Sequence, residues 1–284
     1  MHKLTSPRTI EDILKSHGFK MSKKFGQNFL TDENIVLKIV NAARVTKEDV
    51  VLEIGPGIGA MTAKLCERAK HVIAVEIDKM LIPILDETLA EYENCTVINE
   101  DILKLDINAE IIKHTDKKIK VVANLPYYIT TPIIMGLLEK DLPIESITVM
   151  IQKEVAERIA ATPGGKEYGA LTVACGYYTK PQLSFIVPSS VFIPKPKVDS
   201  AVIHMEVRDD RLMDKNDKDR FFAVVKAGFA NRRKTLLNTL SNNLHYEKSD
   251  VKKALLKAGI EESRRAETLS FEDFKRIAEA FGEL

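Results

Sequence analysis

In IKVVANLPYY, Asn124, Pro126, Tyr127 and Tyr128 follow directly on the apolar residues 121–123, with no charged residue among them. The apolar run reads as a buried strand. At its end stand a carboxamide, main-chain carbonyls at Leu125 and Pro126, and a phenol ring, which together offer hydrogen-bond acceptors and a flat apolar face. A second cluster lies in EIGPGIGAMTAKL, where Glu53, Gly55, Gly57 and Gly59 fall between an apolar run and a helical pattern. Glycine there lets the chain turn sharply and lets a ligand touch the backbone. The spacing is G-x-G-x-G, and so differs from the G-x-G-x-x-G of a pyrophosphate-binding turn. Glu76 closes the next apolar run, roughly twenty residues past Gly55, the offset at which an acidic side chain accepts both hydroxyls of a ribose. Asp101 follows the run CTVIN. The ends of parallel strands share one edge of a sheet, so Gly55, Glu76, Asp101 and Asn124 are expected along one crevice, a nucleoside pocket without a dedicated phosphate clamp. A plainer alternative stays open, in which the glycine turn holds no ligand and Glu76 and Asp101 cap the helices behind them.

The elements that must position these residues alternate in kind. Short apolar runs and helical periods succeed one another from about residue 31 to 185, the pattern of an α/β fold with a mostly parallel sheet. Strands are expected at 49–54, 71–77, 95–99, 119–124, 146–151, 182–187 and 198–207. Val36, Ile39, Val40 and Ala43 share one helical face, and Leu81, Leu85 and Leu89 share another. Pro83 falls early in that second helix, where a missing N–H is tolerated. VPSSVFIPKPK joins the last two strands without room for a helix, so an antiparallel pair at the sheet edge is expected. Beyond residue 207, RDDRLMDKNDKD reads as a charged linker and the remainder as helical. The expected division is a sheet domain over 1–207 and a small all-helical domain over 208–284.

Composition narrows the partners. With 284 residues, of which 45% are apolar, the chain can fill a large core and a smaller second one. Lys and Arg number 42 against 41 Asp and Glu, so any hold on nucleic acid comes from local patches. Two candidates are residues 1–24, including Lys23 and Lys24, and residues 221–246, including Arg232, Arg233 and Lys234. Both are equally compatible with ordinary solvated faces. Cys66, Cys95 and Cys175 are odd in number and lack a C-x-x-C pairing, which argues against a disulfide framework and against zinc, and the scattered histidines suggest no metal. The N-terminus lacks an apolar leader and no run of about 18 apolar residues occurs, so a cytoplasmic protein without a membrane partner is expected.

The glycine turn with Glu76 and Asp101 resembles the class I S-adenosylmethionine-dependent methyltransferases, which implies a Rossmann-like, mostly parallel seven-stranded sheet. By that resemblance Gly55 approaches the methionine part of the cofactor, Glu76 the ribose and Asp101 the adenine. NLPY, residues 124–127, is similar to the target-amine motif of methyltransferases acting on adenine. The resemblance implies that Asn124 and a carbonyl at Leu125 or Pro126 accept from the exocyclic amine while Tyr127 stacks on the base.

KKFGQNFLTDENI (23–35), NLPYYITTPI (124–133) and VFIPKPKVDSAVI (191–203) together resemble the rRNA adenine N6-dimethyltransferases. FANRRKTLLNTL (229–240) favours the small-subunit enzymes associated with kasugamycin sensitivity over the large-subunit enzymes of macrolide resistance. This narrower resemblance implies that Asn28 and Leu30 touch the cofactor from an N-terminal lid within residues 1–30. It places Phe192 opposite Tyr127 as a second aromatic wall, in a loop stiffened by Pro194 and Pro196, although a core phenylalanine is the alternative. Lys23, Lys24, Arg232, Arg233 and Lys234 would grip rRNA phosphates. The implied substrate is the small-subunit precursor with its 16S rRNA, dimethylated at two adjacent adenosines in a hairpin loop near the 3′ end, by a monomeric enzyme acting late in assembly. Two rivals carry weight: a large-subunit methyltransferase with the same chemistry, and an assembly factor that has lost catalysis.

Overall fold

The computed structural model describes residues 3–21, 25–209 and 213–284. Nine strands occur among them: β1 (Phe29–Leu30), β2 (Val50–Ile54), β3 (His71–Glu76), β4 (Cys95–Asn99), β5 (Ile119–Asn124), β6 (Ile144–Gln152), β7 (Thr179–Val187), β8 (Phe192–Ile193) and β9 (Ser200–Val207). Seven form one sheet in the order β4-β3-β2-β5-β6-β9-β7. β4, β3, β2, β5 and β6 are parallel neighbours, and β9 runs antiparallel to β6. All five residues of β2 are buried, which is why its sequence is apolar on both faces apart from Glu53 and does not alternate. β7 and β9 are neighbours at the sheet edge, with β9 inserted between β6 and β7. The sequence gives no sign of β1 and β8, which pair with each other outside the main sheet through Phe29 with Ile193 and Leu30 with Phe192.

Helices α1 (Pro7–Ser16), α2 (Glu33–Ala42), α3 (Ala60–Cys66), α4 (Ile82–Thr88), α5 (Ile107–Ile112) and α6 (Thr130–Glu139) separate the earlier strands. Asp32 caps α2 by accepting from the Asn34 N–H, and Pro83 sits in the first turn of α4, so both helix starts follow from side-chain chemistry. Val36, Ile39 and Val40 of α2 pack with Val51, Val72 and Val122 of the sheet. Among the described residues no helix is long and apolar enough to cross a membrane.

The chain forms two compact units, one of residues 1–156 and 182–207, the other of 157–181 and 208–284. The second unit contains α8 (Ala170–Tyr178), α9 (Lys215–Phe229), α10 (Leu236–Leu244), α11 (Lys248–Lys257) and α12 (Phe271–Gly282), while α7 (Lys153–Ile159) spans the boundary. This differs from a division at residue 207. Tyr168, Val173 and Tyr177 belong to the core built on Phe221, Leu240 and Phe274, although they follow the β-α rhythm of the sheet in sequence. The charged stretch after 207 is also not all linker: Asp214 caps α9 by accepting from the Asp217 N–H, so DKNDKD forms its first turn.

Candidate active site

The carboxyl ends of β2, β3, β4 and β5 open on a cleft of about 1140 Å3, open solvent included. Gly55, Glu76, Asp101 and Asn124 line it along the strand ends, Asn28 and Leu30 line it from the N-terminal segment, and Leu125, Pro126 and Tyr127 complete it. Gly55, Gly57 and Gly59 all have positive φ, at +71°, +62° and +86°, so the turn demands glycine on conformational grounds. At Gly55 a Cβ would meet only the Asn124 carbonyl oxygen, at 3.8 Å, which leaves the backbone open to close approach by a ligand.

Glu76 is 5% exposed. Its carboxyl accepts from the Asp78 N–H at 2.9 Å and from the Gly57 N–H at 3.3 Å, which ties the glycine turn to the end of β3. Burial pushes this carboxyl up to about 7, against the opposing pull of those backbone donors. Asp101 accepts from the Leu103 N–H at 3.0 Å while lining the cleft. Each carboxylate therefore braces a local turn and retains further lone pairs for a ligand, so the capping role and the binding role are compatible.

Asn124 is the last residue of β5. Its Nδ2 donates to the Asn28 main-chain oxygen at 3.1 Å. The donor end of the carboxamide is thereby held by the N-terminal segment, and Oδ1 is left as the acceptor. The same segment is anchored at Gln27, whose Nε2 donates to Asp78 Oδ2 at 2.7 Å, and by the pairing of β1 with β8. On the other side of the loop, the Tyr127 hydroxyl lies 2.7 Å from the Ser200 hydroxyl at the start of β9. Burial raises the Tyr127 phenol above its ordinary value, so it stays neutral at physiological pH.

Nothing in the sequence marks Glu53 as a ligand, yet it lines the cleft with a fully buried side chain, and neither carboxyl oxygen has a hydrogen-bond partner. Burial pushes it up to about 8 from 4.5. Because the folded value is raised, the stabilising effect is complete below the unfolded value and is lost as pH rises through the folded one. Glu53→Gln removes that loss. We expect the thermal midpoint of the cofactor-free variant to exceed wild type by several degrees at pH 8, on the order set by typical unfolding entropies, and to match it near pH 4.

Two expectations need revision. Phe192 does not line the cleft: it is 3% exposed and packs with Leu30, Val36 and Val187, because β8 pairing directs the ring into the core. The rings that do line the cleft beside Tyr127 are Phe25, Phe29 and Tyr128. Arg232 is held within the helical unit, where its guanidinium donates to the carbonyls of Lys166 at 2.8 Å and Tyr168 at 3.3 Å and lies 3.7 Å from Glu267. Arg233 and Lys234 are exposed. Lys23 and Lys24 lie outside the described residues. Among functional contacts, Gln27 and Asp78 were legible only as neighbours of Asn28 and Glu76, and Ser200 carried no signal.

Comparison with known proteins agrees with this geometry. Residues 18–283 match the model of the family described as ribosomal RNA adenine dimethylase. The chain is 50% identical over 280 residues to the ribosomal RNA small subunit methyltransferase A of Alkaliphilus oremlandii (strain OhILAs), covering 98% of each. It is likewise 50% identical over 283 residues to the protein of the same name from Shouchella clausii (strain KSM-K16), covering 98% of this chain and 95% of that one. Among solved structures, a dimethyladenosine transferase from Plasmodium falciparum superposes with a TM-score of 0.76 at 27% identity, covering 90% of this chain and 98% of that one. The 23S rRNA methyltransferase ErmE superposes at 0.70 and 28% identity, covering 89% and 99%. With nearly the whole length matched and a sheet-edge cleft carrying an acceptor amide, the chain belongs to the ribosomal RNA adenine dimethylase family of methyltransferases.

Proposed function

We propose that this chain uses S-adenosylmethionine to dimethylate N6 of adenosines in small-subunit rRNA, the target being the adjacent pair in the hairpin loop near the 3′ end, during late subunit assembly. The observation that supports the reading is the hold on Asn124, a residue of the cleft wall whose amide nitrogen is engaged by the Asn28 carbonyl, which leaves Oδ1 as its acceptor. S-adenosylmethionine, when bound, supplies a methyl group on a sulfonium whose departure as a neutral sulfide is facile. Gly55, Glu76, Asp101, Asn28 and Leu30 would hold it, with Glu76 accepting from the ribose hydroxyls and Asp101 from the adenine amine. Asn124 Oδ1 and a carbonyl at Leu125 or Pro126 accept from the two N6–H bonds of the target, drawing its lone pair out of conjugation and aiming it. Tyr127, steadied by Ser200, provides the stacking face. No strong base is needed, because the methylated amine becomes acidic and sheds its proton after attack. The acceleration comes from alignment and fixed dipoles.

Fold alone does not choose between ribosomal subunits, since the large-subunit enzyme ErmE superposes nearly as well as the dimethyladenosine transferase. The relatives at 50% identity bear the small-subunit name, which supports that target. The deciding experiment is mass spectrometry of rRNA after incubating the protein and cofactor separately with unmodified small and large subunits. Dimethyladenosine in the small-subunit RNA alone is expected, and its appearance only in the large-subunit RNA would reverse the assignment.

In the helical unit, Arg233 and Lys234 are proposed as phosphate contacts. Reversing both charges should weaken binding to small subunits and lower the slope of log affinity against log salt by about 1.5–2, the loss of two contacts. Sedimentation binding at graded salt measures this. An unchanged slope removes the pair from the interface. Arg232 is left out of the test because its removal strips two carbonyls of their donor.

A further inference from the structure

Tyr128 is 60% exposed in the turn between β5 and α6, yet it lines the same cleft as Asn124. Its neighbour Tyr127 is half-buried and held at its hydroxyl; the Tyr128 ring lies close to Gly26. Gly26, at φ +58°, lies close enough that a Cβ there would meet Cδ1 and Cε1 of the ring at 3.5 Å and Pro126 at 3.6 Å. A large ring is thus supported from below and presented to solvent at the cleft mouth, where it contributes little to the core.

We propose that Tyr128 is the stacking platform for the nucleotide flanking the target adenosine. The inference rests on the reading of the cleft as an adenosine site. An adenosine delivered to Asn124 must leave its own stack, at a cost of a few kcal/mol. Its neighbour, one phosphate away, then loses a stacking partner and exposes an aromatic face beside the cleft. Tyr127 and Tyr128 are consecutive, so their rings can serve consecutive bases: the first in the cleft, the second at its rim. Stacking tolerates any base because each has a π-face, which suits a platform for a nucleotide that is not itself undergoing reaction. Ile77 and Met80 are also exposed near the carboxyl end of β3, but neither has the flat aromatic face that stacking needs.

The test uses the full chain with unmodified small subunits, comparing Tyr128→Ala, Tyr128→Phe and Tyr128→Trp. Alanine should raise KM for subunits about tenfold, within the range for loss of one stacked base, with kcat and cofactor affinity within about twofold of wild type. Phenylalanine and tryptophan should retain wild-type KM. Subunits assembled on rRNA lacking the flanking base should show the same rise with the wild-type enzyme and no additional rise with Tyr128→Ala. An unchanged KM in the alanine variant overturns the platform, as does equal loss in the phenylalanine variant, which would assign the hydroxyl. A parallel rise in the cofactor dissociation constant also overturns it, since the ring would then serve only to cover the 25–30 segment. Wild-type methylation scored in the same assay separates the two readings: its absence refutes the adenosine site itself, whereas normal methylation with an indifferent Tyr128 refutes only the platform.

Discussion

Asn124→Ala binds S-adenosylmethionine within a few fold of wild type and transfers methyl groups at least a hundredfold more slowly. The expectation follows from the division of labour within one carboxamide. Nδ2 holds the Asn28 carbonyl at 3.1 Å, and Oδ1 is the acceptor proposed for the target amine. Losing the first bond loosens the N-terminal wall of the cleft by about the net worth of one hydrogen bond, 0.5–1.5 kcal/mol, which is a few fold in cofactor affinity. Losing the second removes an interaction that matters most as positive charge develops on N6, a class of contact whose deletion costs about 10²–10³ in rate. Asn124→Asp sharpens the comparison. A carboxylate keeps the acceptor but cannot donate to the Asn28 carbonyl, so it should lose cofactor affinity as well as rate. Calorimetric titration of the cofactor, paired with single-turnover transfer of labelled methyl, reads both quantities. Equal losses of affinity and rate in the alanine variant would place Asn124 in cofactor binding alone.

The second large effect belongs to Glu76. Burial raises its carboxyl to about 7, so near neutrality it is divided between two forms. In the proposed ribose role two hydroxyls would donate to the ionised form, whereas the protonated form would itself have to donate one hydrogen bond. Cofactor binding therefore favours ionisation and lowers the pKa of the complex. Affinity should fall as pH drops below about 7, approaching a limit of tenfold per pH unit if only the ionised form binds. Glu76→Gln should bind ten to a hundred times more weakly, on the order expected for lost charge-assisted bonds, and with a flat profile from pH 6 to 8. The stability of the cofactor-free protein runs the other way. A carboxyl raised in the folded state supports folding fully below its unfolded value of 4.5, and that support fades as pH climbs to about 7. Cofactor-induced thermal stabilisation should consequently grow with pH in wild type and not in the variant. A pH-independent wild-type affinity would remove Glu76 from the ribose site.

Much of the cleft is legible in sequence for a reason specific to parallel sheets. Strands buried on both faces need mostly apolar runs, so 50–54, 71–76 and 119–124 announce themselves despite Glu53 and Lys120, and the residues that end such runs meet at one edge. Gly55, Glu76, Asp101 and Asn124 are all of this kind. The partners that hold them are not, because they come from distant segments. Gln27 reaches Asp78 across 51 positions, and Tyr127 reaches Ser200 across 73. No local pattern distinguishes Ser200 from any other strand serine.

The same contrast explains the revisions. Phe192 sits in a proline-braced loop that suggests an aromatic wall, but pairing with Leu30 turns it inward. Arg232 belongs to a basic run suited to phosphate, but carbonyls at Lys166 and Tyr168 lie within its reach. The helix at 170–178 follows the rhythm of the sheet, but Tyr177 finds Phe221, Phe222 and Phe271. By itself the amino-acid sequence determined the α/β class, the glycine turn and the row of polar residues at the strand ends, since these depend on periodicity and on backbone preferences that act over a few residues. Tertiary structure alone decided which face Phe192 presents, which core claims 170–178, and which carbonyl engages the Asn124 amide nitrogen. Those outcomes depend on contacts between groups far apart along the chain, and such contacts exist only once the chain has closed upon itself.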